Sequence, residues 1–252
     1  MKNILILIVL ISFISACKED SSSFPASADG GGTTGTGGSM AKYTFSGNYL
    51  YTVEKQFLTV YDVTNAKDPQ KLTSIDLNNN GVETIFPYGE YLFFGTQNGM
   101  LIYSLSNPER PSYISTYTHI VSCDPVVVSG NIAYVTLSTG NRCNRGVNQL
   151  ELIDISNIQQ PRLIRAYQYV NPKGLAIAGD YLYLCDGSAG LKILDVKNPN
   201  NVKMIKQIDL FDTYDVIKKG DILTITGLDG IYQYDCSDPI NLKFLSKISS
   251  VK

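Results

Sequence analysis

The chain has 252 residues, with 21 Lys plus Arg against 23 Asp plus Glu. That near balance, without a basic run of the kind that tracks phosphate backbones, argues against nucleic acid as a partner. Trp is absent and His occurs once, at His119. Histidine-built zinc sites and most histidine-dependent catalysis are thereby nearly excluded, and no cofactor is expected.

In chain order, the first element is a leader. Met1-Lys2-Asn3 is a short cationic start, Ile4 to Phe13 is apolar apart from Ser12, and Ile14-Ser15-Ala16-Cys17 follows. Charge, length and the small residues before the cut make a signal peptide over residues 1–16. The apolar run falls short of the ~20 residues of a stable membrane span. Ile14-Ser15-Ala16-Cys17 resembles a bacterial lipobox. The resemblance implies cleavage before Cys17 and acylation of that cysteine, anchoring the protein through its N-terminal lipid. A plain secretory peptide with an incidental cysteine is the alternative. Lys18-Glu19-Asp20 resembles the surface-export signal of Bacteroidetes lipoproteins, which implies an outer-membrane protein facing outward; without that signal it faces the periplasm. Either compartment is oxidising and permits disulfides. Residues 21–40, "SSSFPASADGGGTTGTGGSM", contain nothing that could form a packed face. With Cys17 they form a flexible tether over 17–40, spanning about 25 Å root-mean-square.

Residues 41–252 are long enough for one sizeable core and repeat themselves. Gly47, Gly89, Gly130, Gly179 and Gly220 are spaced by 42, 41, 49 and 41 residues. Each is preceded by a short strand ("KYTFS", "TIFPY", "PVVVS", "GLAIA", "DVIKK") and followed by another ("NYLYTVE", "EYLFFGT", "NIAYVTL", "DYLYLCD", "DILTITG"). After a turn comes a third strand running into a polar loop, as in "LTVYDVTNAKDP", "LELIDISNIQQP" and "LKILDVKNPNNV". A fourth strand closes the unit. Four short strands per unit of about 40 residues make an antiparallel meander, the blade of a β-propeller. The fold expected is all-β, a propeller of five four-stranded antiparallel blades. "PVVVS" and "LKILD", apolar on both faces, suit strands sandwiched between neighbours. No blade is shared between the termini, so the ring closes by packing alone or with help from a disulfide elsewhere, and an incomplete ring or a shared assembly is the alternative.

"LELIDISN", "LKILDVKNP" and "LTVYDVTN" resemble the LVIVD repeat of bacterial and archaeal cell-surface proteins, over Ala41 to about Ser250. The resemblance is clearest at Gly190 to Pro199 and weakest in the last repeat. It implies the fold and a cell-surface location, and no general activity.

Asp62, Asp154, Asp195 and Asp235 each end a strand before a turn, where a carboxylate caps loop N–H groups; Ser104 serves in the second repeat. These are structural positions. Irregularities between repeats carry the functional expectation. Where other repeats have short turns after their second strand, the third has "STGNRCNRGVNQ". This puts Arg142, Cys143, Asn144, Arg145 and Asn148 on a loop, at the end of the disc that also carries the crossings between blades. Cys123, at the crossing into the same blade, is expected to form a disulfide with Cys143, worth about 3 kcal/mol in the chain-entropy account. Two free thiols or a metal pair are the alternatives. Cys236 stands at a core position of the phrase.

Asp124, Asp186 and Tyr214 complete the candidate binding rim, with no catalytic residue and no metal assigned. The leading expectation is a non-enzymatic propeller that holds an envelope protein or a glycan on this rim. The alternatives are a carbohydrate-active hydrolase using rim carboxylates (Glu83, Asp124, Asp186, Asp215), and a purely structural envelope protein.

Overall fold

The computed structural model describes residues 38–78, 81–118, 125–139, 147–210 and 212–250. The leader, Cys17 and all but the end of the tether lie outside the described residues. So do His119, Cys123, Asp124, Arg142, Cys143, Asn144 and Arg145.

Twenty strands form five four-stranded antiparallel sheets, each paired in chain order. Blade 1 holds β1 (Tyr43–Ser46), β2 (Tyr49–Glu54), β3 (Phe57–Asp62) and β4 (Gln70–Asp76). Blade 2 holds β5 (Val82–Tyr88), β6 (Tyr91–Thr96), β7 (Gly99–Ser104) and β8 (Ser112–Thr118). Blade 3 holds β9 (Val126–Ser129), β10 (Ile132–Leu137), β11 (Gln149–Asp154) and β12 (Arg162–Gln168). Blade 4 holds β13 (Leu175–Ala178), β14 (Tyr181–Cys185), β15 (Leu191–Asp195) and β16 (Lys203–Ile208). Blade 5 holds β17 (Thr213–Lys219), β18 (Ile222–Gly227), β19 (Gly230–Asp235) and β20 (Lys243–Ser249). The molecule is a five-bladed β-propeller, as its repeat predicts.

The five spacing glycines all sit in the left-handed region, at φ of 55 to 58°. A side chain there is strained, so glycine recurs at the turn from the first strand to the second. The third and fourth strands shift register at the same place in every blade: Val60/Tyr61, Ile102/Tyr103, Leu152/Ile153, Ile193/Leu194 and Gln233/Tyr234. A bulge adds local twist, and here it bends each outer strand alike.

The repeated phrase has two structural jobs. In the first, Asp62, Asp154, Asp195 and Asp235 accept the N–H two residues on (Thr64, Ser156, Lys197, Ser237) at 2.8–3.0 Å; Ser104 does the same for Ser106. In the second, the loop offers a carbonyl to the preceding blade. Tyr51 Oη donates to Pro108 O (2.8 Å), Ser115 Oγ to Ile158 O (2.6 Å) and Tyr167 Oη to Pro199 O (2.9 Å). Those three carbonyls occupy the same step of the phrase.

Packing follows the alternation of a strand. Tyr51, Phe93, Tyr134 and Tyr183 face the following blade. Each lies in a buried cluster with that blade's second strand: Leu92 and Phe94, Ala133 and Val135, Leu182 and Leu184, and Leu223 and Ile225 respectively. The second and third strands of blades 2, 3 and 4 are therefore covered on both faces, while their outer strands stay largely exposed.

The junction of blade 5 with blade 1 differs. Thr224 stands where the aromatic belongs, and Gln233 stands where Val60, Ile102, Leu152 and Ile193 are buried elsewhere. Across from it, Thr52 occupies the position of Phe94, Val135, Leu184 and Ile225. Ile231 stays 39% exposed and Phe45 38%, and every residue of β20 is exposed. No described cluster bridges this seam.

Among the described residues, apolar packing does not bridge this seam. A polar strap contributes. Ser39, buried, accepts the Leu175 N–H (2.8 Å) of blade 4 and donates to Asp215 Oδ1 (3.2 Å) of blade 5. The Ala41 carbonyl accepts the Ile85 N–H (2.9 Å) of blade 2. Residues just before β1 thus cross the central channel, leaving a space of about 200 Å³ beside them.

The loop carbonyl ties have a measurable weight. Tyr167 Oη also accepts the Val202 N–H (3.1 Å), so Tyr167→Phe removes two bonds at one blade junction. It is expected to cost about 1–3 kcal/mol in urea unfolding. The buried Tyr183 hydroxyl has no partner among the described residues, so Tyr183→Phe is expected to be neutral or stabilising in the same measurement.

Candidate functional site

The rim expected from the sequence lies only in part within the described residues, at the end of the disc formed by the crossings. Three of the seven candidate rim residues, Asn148, Asp186 and Tyr214, are described, and the structure brings them onto one continuous stretch over blades 3 to 5.

Asn148 stands at the base of the insertion. Its Oδ1 accepts the Thr139 N–H (2.7 Å) and the Thr139 hydroxyl (3.1 Å), while its carbonyl accepts the Tyr169 N–H (3.0 Å). The two ends of the insertion are thereby held side by side and tied to the crossing into blade 4.

Asp186 is fully buried. It accepts the N–H groups of Asn171 (2.8 Å) and Val170 (3.3 Å) and pairs with Lys192 Nζ. Lys192 lies in the middle of the apolar run "LKILD", with its ammonium 5.0 Å from the Tyr169 ring centroid. Asp186 therefore supports the rim from beneath and does not open to solvent. Burial and the Asp186 charge together push the Tyr169 hydroxyl pKa upward.

Tyr214, partly exposed, presents its ring to Lys173, whose ammonium is 4.3 Å from the centroid and 3.0 Å from Asp212 Oδ1. Lys173 is fixed by its own backbone: its N–H meets the Cys185 carbonyl (2.7 Å) and its carbonyl accepts the Thr136 hydroxyl (2.6 Å). Beside it, the buried Asn171 Oδ1 has no partner among the described residues.

The rim carboxylates named for hydrolysis are engaged where they are described. Glu83 accepts from Gln97 Nε2 (3.3 Å). Asp215 holds the strap through Ser39 and the Met40 N–H. Burial raises the Asp215 pKa to about 6 in spite of these bonds. Gly174 packs so closely that a Cβ there would lie 2.0 Å from Asp215 Oδ1.

The Lys192–Asp186 pair was missed in the sequence. Its signal was a lysine in an otherwise apolar strand, six residues after an acid standing where other blades have Glu54, Thr96, Leu137 and Gly227. Cys236 is buried where the repeat puts it, and Cys185 joins it in the cluster between blades 4 and 5.

Five meander blades around a strap-crossed channel, with one end carrying an insertion, define a β-propeller whose variable loops gather on one face. The LVIVD repeat model matches residues 82–119, 122–168 and 171–209, so the chain carries LVIVD repeats in blades 2, 3 and 4. These are the three blades whose second and third strands are covered on both faces. Blades 1 and 5 share the topology and diverge at the seam positions. No curated protein sequence matches the chain.

Among solved structures, a functionally unknown protein from Desulfotomaculum acetoxidans is similar with a TM-score of 0.62 at 12% identity, covering 87% of this chain and 70% of its own. The periplasmic gluconolactonase PpgL of Pseudomonas aeruginosa gives 0.62 at 13% identity, covering 80% and 67%. The computationally designed protein Ika8 gives 0.58 at 14% identity, covering 82% of this chain but 60% of the designed one. At such identities these likenesses establish the fold alone.

Two outcomes test the polar network. Lys192→Met leaves a buried carboxylate unpaired and is expected to cost about 3–5 kcal/mol by denaturant unfolding, most of it recovered in Asp186→Asn, Lys192→Met. Asp215 has the opposite sign from an ordinary paired acid. Its folded pKa lies above its unfolded value, so its stability contribution is full below about pH 4 and is lost as pH rises through about 6. Between those limits the wild-type protein is expected to lose roughly 1–3 kcal/mol relative to Asp215→Asn.

Proposed function

We propose that the protein is a lipid-anchored cell-envelope propeller, a non-enzymatic module that binds an envelope protein or glycan on its crossing rim. The observation that carries this reading is the pinning of that rim. Asn148 clamps the ends of the insertion, buried Asp186 and Lys192 support the crossing below it, and Lys173 is fixed against Tyr214. Loops held this way lose little further freedom on binding, which lowers the ordering cost of recognition. Arg142, Asn144, Arg145 and Asp124 are the proposed contacts beside Asn148 and Tyr214, with the Cys123–Cys143 disulfide restraining the loop.

Binding is favoured over hydrolysis because the described rim acids already serve as structural acceptors: Asp186 to Lys192, Asp212 to Lys173, Asp215 to the strap. A hydrolytic pair needs two carboxyls facing one substrate bond. The anchor rests on Cys17 after its small residues and apolar run, and the outward location on Lys18-Glu19-Asp20.

Two measurements test the reading. Metabolic labelling with palmitate should mark the wild-type chain and not Cys17→Ser. Crosslinking in intact envelopes, followed by purification of the full chain, should capture a partner. That partner should be lost when residues 141–146 are replaced by a two-residue turn. An identical set of captured molecules with both chains would remove the rim from the account.

A further inference from the structure

A second site lies between blades 1 and 2, away from the rim of blades 3 to 5. The open groove there has a volume of about 490 Å³, within the roughly 300–1,000 Å³ usual for small-ligand sites. Its existence follows from one step of the repeat. The second residue of the third strand's inward phrase is Glu151 in blade 3, Lys192 in blade 4 and Tyr232 in blade 5. Each is a long polar side chain lodged at its junction: Glu151 takes the Tyr117 hydroxyl (3.0 Å), Lys192 underlies Tyr169, and Tyr232 donates to Asp229 (2.6 Å) beneath Lys247. In blade 2 that residue is Leu101, which is too short and too apolar to fill the same space.

The described residues that line the groove carry no charge, and Asp76 lies close enough to Tyr103 to act on its hydroxyl. Blade 2 contributes the edge-to-face pair of Tyr103 and Tyr113, whose ring centroids are 5.7 Å apart, with Thr116, whose hydroxyl meets that of Tyr113 at 3.0 Å, and Thr118 beside them. Leu77 and Asn78 form the blade 1 side, and Asn98 stands at the mouth. Tyr113, Thr116, Thr118, Asn78 and Asn98 are exposed. An aromatic surface offers its electron-rich face to polarised C–H groups, and neutral hydroxyls and amides both donate and accept. With no ammonium or carboxylate among the described lining residues, an anionic or cationic ligand finds no compensation there for its lost water.

We propose that this groove binds a neutral oligosaccharide, with Tyr113 as the stacking platform and Thr116 and Asn98 as hydroxyl partners. The ligand is a chain of uncharged sugar rings. It approaches from the outer edge of the disc, where the groove is open.

The test is calorimetric titration of the full chain, held in lauryldimethylamine oxide so that the detergent carries no sugar. The ligands are maltotetraose, cellotetraose, mannotetraose and xylotetraose, with tetragalacturonate as the charged control. At least one neutral tetrasaccharide should bind saturably, and tetragalacturonate should not. Tyr113→Ala and Thr116→Glu should each weaken that binding at least tenfold while the cooperative unfolding of the propeller is kept, since both positions are exposed and each variant gives up only local contacts such as the Tyr113–Thr116 hydroxyl bond. Replacing residues 141–146 should leave it unaltered, which separates this site from the rim. The proposal fails if none of the four neutral ligands binds, if binding survives both groove substitutions, or if the charged control binds equally well.

Discussion

Each blade is a sheet too thin to bury its own apolar residues, so it depends on a neighbouring blade to cover them. That constraint shapes the rest of the molecule. The forward-facing Tyr51, Phe93, Tyr134 and Tyr183 each enter the aliphatic face of the next blade, and hydroxyls tie outward to the next loop's carbonyl. The recurrent Asp or Ser at the end of the third strand holds that loop in the shape that presents the carbonyl. The repeated phrase is thus an adhesive between neighbours.

A linear chain of five blades has four such junctions and two ends. Where the ends meet, the packing residues are missing: Thr224 and Gln233 on one side and Thr52 on the other. The strap through Ser39, Met40 and Asp215 supplies polar contacts in their place, at the cost of a carboxylate whose burial raises its pKa. Blades 2, 3 and 4 obey the repeat most closely because they are flanked on both sides. The end blades are released from half of its demands.

Much of this was legible in the sequence. The turn glycines, the strand order and the capping role of Asp62, Asp154, Asp195 and Asp235 follow from period and turn chemistry, which are local. The seam was not read, although Thr224 in "DILTITG" was in plain view, because strand alternation tells which residues share a face and not which face lacks a partner. In the sequence the strap reads as the end of a tether, since Gly38, Ser39 and Met40 carry no pattern; their role depends on Asp215, far along the chain. Of the rim, position was legible and engagement was not. Asp186 reads as a solvated loop acid until Lys192, a strand residue, is seen beneath it.

The central claim is that cohesion comes from face-to-face burial at four junctions, with the fifth held mainly by the strap. Native-state hydrogen exchange across the five blades tests it most directly. The account requires the slowest exchange in β6, β10 and β14, with markedly faster exchange in β18 to β20 and in β2 and β3. Equal protection in all five blades would show the seam to be packed like the other junctions, and would contradict it.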